Sequence, residues 1–98
     1  MGAYTNIRVY DFSAAWDGIY TQIDRGMWFN GNAASPYYLY RDFENWKICN
    51  SRYVCQPVEA IPSLGHLKAI KAFTVGSTPA GNYTGVDGNP NGKVELVY

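Results

Sequence analysis

The residues best placed for chemistry lie near the end of the chain. Asp87-Gly88-Asn89-Pro90-Asn91-Gly92 sets oxygen donors at alternate positions and follows them with a glycine. A hard cation such as Ca²⁺ is held by several such oxygens, and the glycine permits the sharp turn they need. Glu95 would add a further ligand, giving a candidate calcium set of Asp87, Asn89, Asn91 and Glu95. The first six positions hold a single carboxylate, and the twelfth is Tyr98 where a bidentate Glu would be wanted. Asp, Asn, Gly and Pro are equally the residues of a β-turn. The turn is the reading preferred here, with no cofactor expected and calcium as the alternative.

Other reactive side chains are sparse. Cys49 and Cys55 enclose five residues, which is not the two-residue gap of zinc and redox motifs. His66 is the only histidine, so a four-ligand zinc set would need carboxylates to join it. The spacing favours a local Cys49–Cys55 disulfide, worth roughly 2 kcal/mol by loop-closure arithmetic and implying an oxidising compartment. Two cytosolic thiols are the alternative. No local signature pairs His66 with Cys49 or Ser63 as a nucleophile, and Asp42 and Glu44 read as solvated acids rather than a glycosidase pair. The glycines after Gly76 lack the Lys-Ser/Thr of a phosphate loop. We expect no enzyme here. Asn82-Tyr83-Thr84 fits an N-glycosylation acceptor, meaningful in a secreting eukaryote.

Binding is better supported. Nine Tyr, three Trp and four Phe in 98 residues exceed what one small core absorbs. In Tyr37-Tyr38-Leu39-Tyr40, strand alternation sets Tyr38 and Tyr40 on one face and Tyr37 and Leu39 on the other. We therefore expect Tyr37, Tyr38 and Tyr40 to reach a binding surface, with Trp46 as a further candidate; core packing is the simpler role for Trp16 and Trp46. The loop from Gln56 to Gly65 follows Cys55 directly and contains Pro57, Glu59, Ile61 and Pro62. An extended loop stiffened by proline and braced by a disulfide loses little entropy on binding, as a protease-inhibitor loop requires. An ordinary connection would look the same. The partner would be a protein or a glycan, with self-association as the competing use.

Eight basic residues balance eight acidic ones without a basic stretch, which argues against nucleic acid. No apolar run approaches the ~20 residues of a membrane-spanning helix. Met1-Gly2-Ala3-Tyr4 leads into a strand-like segment with no signal peptide, as a mature secreted domain behind an initiating Met also would. An extracellular setting is expected, and a cytoplasmic one stays open.

The elements that must position these residues read mostly as strands within a single domain spanning residues 1–98. Strands are expected at Ile7–Tyr10, at Ile19–Ile23 with Ile19, Thr21 and Ile23 on one face, at Met27–Phe29 and at Tyr37–Tyr40. Arg41 to Lys47 reads as a helical turn or a loop, and Ile48 to Gln56 as a hairpin laced by the cysteines. Leu64, Leu67, Ile70 and Phe73 recur every three residues behind Ser63, suggesting a short helix or turn before a strand. Gly76 to Gly92 reads as mostly turns. Lys93 to Tyr98 is a closing strand with Val94, Leu96 and Tyr98 inward. The fold expected is all-β, or mainly β with one short helix: a small antiparallel Greek-key sandwich or barrel.

Val9-Tyr10-Asp11 through Trp16-Asp17-Gly18 resembles the opening hairpin of a βγ-crystallin Greek-key motif, with a loop one residue longer than usual. Pro79 to Thr84 and Asn91 to Val94 resemble that family's middle turn and closing strand. The pieces cover about a third of the chain. The family's paired acidic or amide residues followed by Thr-Ser or Ser-Ser are absent, and Lys47-Ile48 stands after Trp46 where its glycine belongs. The resemblance implies a Greek-key domain with an extracellular binding role, such as an inhibitor or a toxin.

Overall fold

The apolar and aromatic segments form eight strands in the computed structural model of the chain, which describes residues 6–24, 26–41, 44–50 and 66–97. They are β1 (Asn6–Tyr10), β2 (Gly18–Asp24), β3 (Met27–Phe29), β4 (Tyr38–Arg41), β5 (Asn45–Cys49), β6 (Leu67–Ala72), β7 (Gly81–Gly85) and β8 (Gly92–Val97). Every strand pairs antiparallel with its neighbours in sequence, and β8 returns to pair with β1, closing a barrel in the order β1 to β8. The expectation of an all-β antiparallel barrel holds. The connectivity is an up-and-down meander, so the Greek-key return connection is corrected: sequence neighbours are already partners, and closure leaves no strand to be crossed over.

Alternation decides what fills the barrel. Ile7 and Val9 of β1, Tyr20 of β2, Trp28 of β3, Leu39 of β4 and Trp46 and Ile48 of β5 point inward. Ala69 of β6, Tyr83 of β7 and Val94 of β8 complete the ring, and Phe12 and Trp16 enter from the β1–β2 connection. Burying this set supplies most of the driving force, at ~25 cal/mol per Å² of apolar surface. Trp28 and Trp46 meet with ring centroids 6.2 Å apart. Phe12 lies against Gly92 so closely that any Cβ there would enter the ring.

Two loops are tied to the core in the same way. The hydroxyl of Tyr20 donates to the Trp16 carbonyl at 2.6 Å, and that of Tyr83 donates to the Pro79 carbonyl at 2.6 Å. Each Tyr is the third residue of a strand opened by a glycine, Gly18 at φ 148° and Gly81 at φ 135°. This is the tyrosine-corner arrangement, in which a buried phenol satisfies a loop carbonyl four residues upstream. In a meander, the loops after odd strands share one end of the barrel and those after even strands share the other. Tyr20 therefore closes one end and Tyr83 the opposite end.

Three sequence readings change. The ambiguous stretch after Arg41 contributes β5 from Asn45, because Trp46 and Ile48 both have interior positions to fill. No helix occurs among the described residues: from Leu67 the chain is strand, since β5 and β7 both need a partner there. The glycine-rich stretch from Gly76 holds a whole strand, β7, carried by the inward burial of Tyr83.

Candidate functional site

The outer face of β2 breaks the usual pattern of polar residues toward solvent. Inward burial of Tyr20 sends Ile19, Thr21 and Ile23 outward, and all three are exposed, Ile19 by 48% and Ile23 by 43%. A bulge fixes this at the strand's end. Gln22 pairs with Trp28 and Asp24 with Met27, leaving Ile23 as the extra residue. Along the register, Thr21 stands beside Phe29, Phe29 beside Tyr38 and Tyr38 beside Cys49. Phe29 and Tyr38 stack with ring centroids 4.9 Å apart, both half-buried. The apolar face thus grades from exposed on β2 to half-buried on β3 and β4. It continues into a buried outer cluster of Met27, Tyr40 and Cys49, against which Tyr38 and Leu67 pack. On the other side of β2 the surface becomes charged: Arg8, opposite Ile19, donates to Glu95 at 2.8 Å.

A second exposed feature is the turn at the tip of the β6–β7 connection. Val75 is 96% exposed there. Ser77 N donates to the Thr74 carbonyl at 2.9 Å, and Gly76 at φ 86° supplies the left-handed position of a type II turn. The turn is braced from below. Trp46 Nε1 donates to Ser77 Oγ at 3.2 Å, and the Arg41 guanidinium lies 4.2 Å over the Phe73 ring. A rigid turn presenting one aliphatic side chain is suited to insertion into a partner's pocket.

The third feature is an open cleft of about 420 Å³ on β7 and β8, lined by Asp11, Asn82, Thr84, Asn91 and Lys93 over the buried Tyr83. Asp11 is held beside it at φ 66°.

The residues singled out from sequence are distributed as follows. Of the tyrosine run, Tyr37 faces inward and stacks on Trp16 at 5.8 Å, and Leu39 is fully buried. Tyr38 alone faces outward with appreciable exposure, because Tyr40 is only 6% exposed. Trp46 is buried in the core, where it also braces the Val75 turn. The outward face of this strand is thus open at Tyr38 and closed at Tyr40, and the more exposed apolar side chains of the described strands are Ile19 and Ile23 of β2. The Asp87 to Gly92 segment is a turn whose amides are engaged. Asn91 Oδ1 accepts from Gly85 N at 2.8 Å, and Asn89 Nδ2 donates to the Val86 carbonyl at 2.6 Å. Asp87 takes φ 55°, and Glu95 is on β8 in its pair with Arg8. His66 Nδ1 lies 2.6 Å from Asn50 Oδ1, bridging the ends of the β5–β6 connection. Cys49 is fully buried at the end of β5. Cys55, Asp42 and the loop residues Pro57, Glu59, Ile61 and Pro62 lie outside the described residues.

Sequence reasoning placed Ile19, Thr21 and Ile23 on one face without assigning its direction. The signal was present four residues earlier: a Tyr behind Gly-x, with Trp16 at the corner position, directs Tyr20 inward and the isoleucines out. No helix of the described residues is long and apolar enough to cross a membrane. No family model, curated protein or solved structure matches the chain.

Proposed function

We propose that this chain is a non-enzymatic interaction domain that engages a protein partner outside the cell through the outer face of β2, β3 and β4. The observation that carries the reading is the exposure of Ile19 and Ile23 beside the stacked Phe29–Tyr38 pair. Branched aliphatic and aromatic side chains grouped on one outward sheet face mark an interaction surface more often than scattered single apolar residues do. Tyr38 adds a large, stiff side chain with a polar tip, the kind that anchors interfaces. The closed barrel supports face-on docking as well. With all eight described strands paired on both sides, no edge is offered for a partner strand to extend the sheet.

The Cys49–Cys55 disulfide belongs to the same reading, since a local cross-link fits an oxidising compartment. We read the domain as working without a metal: Asn91 Oδ1 already accepts from Gly85 N, and Glu95 pairs with Arg8. A second copy of the chain is the competing occupant of the β2 face.

The test is an Ile19→Asp/Ile23→Asp double variant. Light scattering over a range of concentrations first shows whether the partner is a second copy. A monomer points to a different protein, retrieved from the extracellular fluid of the source on immobilised wild-type chain. The double variant is expected to melt close to wild type, as surface substitutions usually do, and to lose that association. Unchanged association would overturn the proposal.

A further inference from the structure

The chain holds a single Asn-x-Ser/Thr triplet, Asn82-Tyr83-Thr84, and its placement in the fold is specific. Tyr83 takes the inward position on β7 and is fully buried, which turns Asn82 and Thr84 outward side by side. Both are exposed and line the open cleft over β7 and β8. Gly81 and Gly85 flank the triplet, and Lys93, exposed, stands opposite Asn82.

We infer that Asn82 is an N-glycosylation acceptor when the chain enters a eukaryotic secretory compartment. In the transfer, Asn82 Nδ2 forms a bond to the anomeric carbon of an oligosaccharide carried on a polyprenyl diphosphate. The carbon–oxygen bond to the diphosphate breaks, the diphosphate leaves with the electron pair, and one amide proton passes to a base of the transferase. Nothing is oxidised or reduced. Thr84 supplies the hydroxyl that the acceptor motif requires. Transfer precedes folding, so the fold must be able to carry the product. Outward Asn82 lets the sugar stand in solvent, whereas the inward position held by Tyr83 would thread it into the closing barrel.

In the closed ring β7 is the fourth neighbour of β3, so the glycan stands on the far side of the barrel from the Ile19 to Tyr38 face and leaves that face uncovered. The inference takes only its compartment from the proposed extracellular role. Loss of the β2 face as a docking surface would leave it standing.

The test is secretion of the chain from cultured eukaryotic cells behind a leader, with intact mass measured before and after peptide N-glycosidase. Translation into microsomes reports the transfer where secretion stalls. One enzyme-removable glycan is expected, lost in Asn82→Gln and Thr84→Ala and kept in Thr84→Ser. The glycosylated chain should melt with Asn82→Gln within a few degrees. An unmodified wild-type chain, or one retained in the cell while Asn82→Gln is secreted, would overturn the inference.

Discussion

Replacing Tyr20 or Tyr83 by Phe should lower stability at neutral pH and remove part of its loss in alkali. At neutral pH each variant deletes a 2.6 Å hydrogen bond and leaves a loop carbonyl without its buried donor. The cost should be about 1–3 kcal/mol per site, the range for a buried group left unsatisfied. For a domain of this size, each kcal/mol lowers the melting temperature by about 4–8 °C. The corners close opposite ends of the barrel, so the two costs should add to within about 0.5 kcal/mol. In alkali the sign reverses. Burial raises the pKa of both phenols well above the ordinary value, and for Tyr20 the neighbouring Tyr37 and Asp17 raise it further. The folded state holds these protons more tightly than the unfolded chain. Stability is therefore complete below about pH 10 and falls above it by about 1.4 kcal/mol per pH unit for each phenol. Phenylalanine has no proton to lose, so each variant should overtake wild type about one to two pH units above that point. Urea unfolding at a series of pH values, with tyrosinate absorbance followed in parallel, reads both effects. The reasoning is refuted if Tyr→Phe leaves the neutral melting temperature unchanged, or if all the phenols titrate before the fold is lost.

Further expectations follow from the packing. Gly85→Ala would drive a Cβ into the backbone carbonyls of Asn89 and Pro90, and should cost about 3 kcal/mol or more on thermal melting. Gly76→Ala meets no atom within 4 Å but keeps φ 86°, so its cost should stay near about 1–2 kcal/mol. Calcium or a chelator should leave the melting curve in place, because Asn91 Oδ1 is held by Gly85 N and Glu95 by Arg8; a calcium-dependent rise would restore the cation reading. Denaturation and alkylation without reductant should add no mass at Cys49 and Cys55; two added alkyl groups would mean thiols.

Much of the barrel was legible because local pattern and final burial agree. β1 alternates cleanly, and on β8 Val94 lies in the core with Leu96 packed against it, as read, while Tyr98 lies outside the described residues. β7 was hidden because its glycines look like turn residues and its single large side chain, Tyr83, gains its role only from the distant Pro79 carbonyl. The three-residue spacing of Leu67, Ile70 and Phe73 suggested a helix, but the pairing of β6 shifts between Ile48 and Cys49, so that Leu67 packs on the outer cluster while Phe73 packs against the core. The tyrosine surplus was real, but one barrel has two faces to cover. Tyr20 and Tyr83 close its ends and Tyr40 packs on its outside, so among the described residues fewer rings reach solvent than composition suggests. The outward direction of Ile19 and Ile23 was hidden for a related reason: it follows from the Tyr20 corner, a contact between strand and loop, rather than from the alternation of β2 alone.

The central claim is that the outer face of β2 is where this domain meets its partner. A photo-crosslinking side chain placed in turn at Ile19, Ile23 and, as a control on β8, Lys93 tests it most directly. Irradiation in the extracellular fluid of the source, and separately with the purified chain alone, is expected to give one discrete adduct from Ile19 and Ile23 and none from Lys93. No adduct from either isoleucine position, or an equal one from Lys93, would contradict the account.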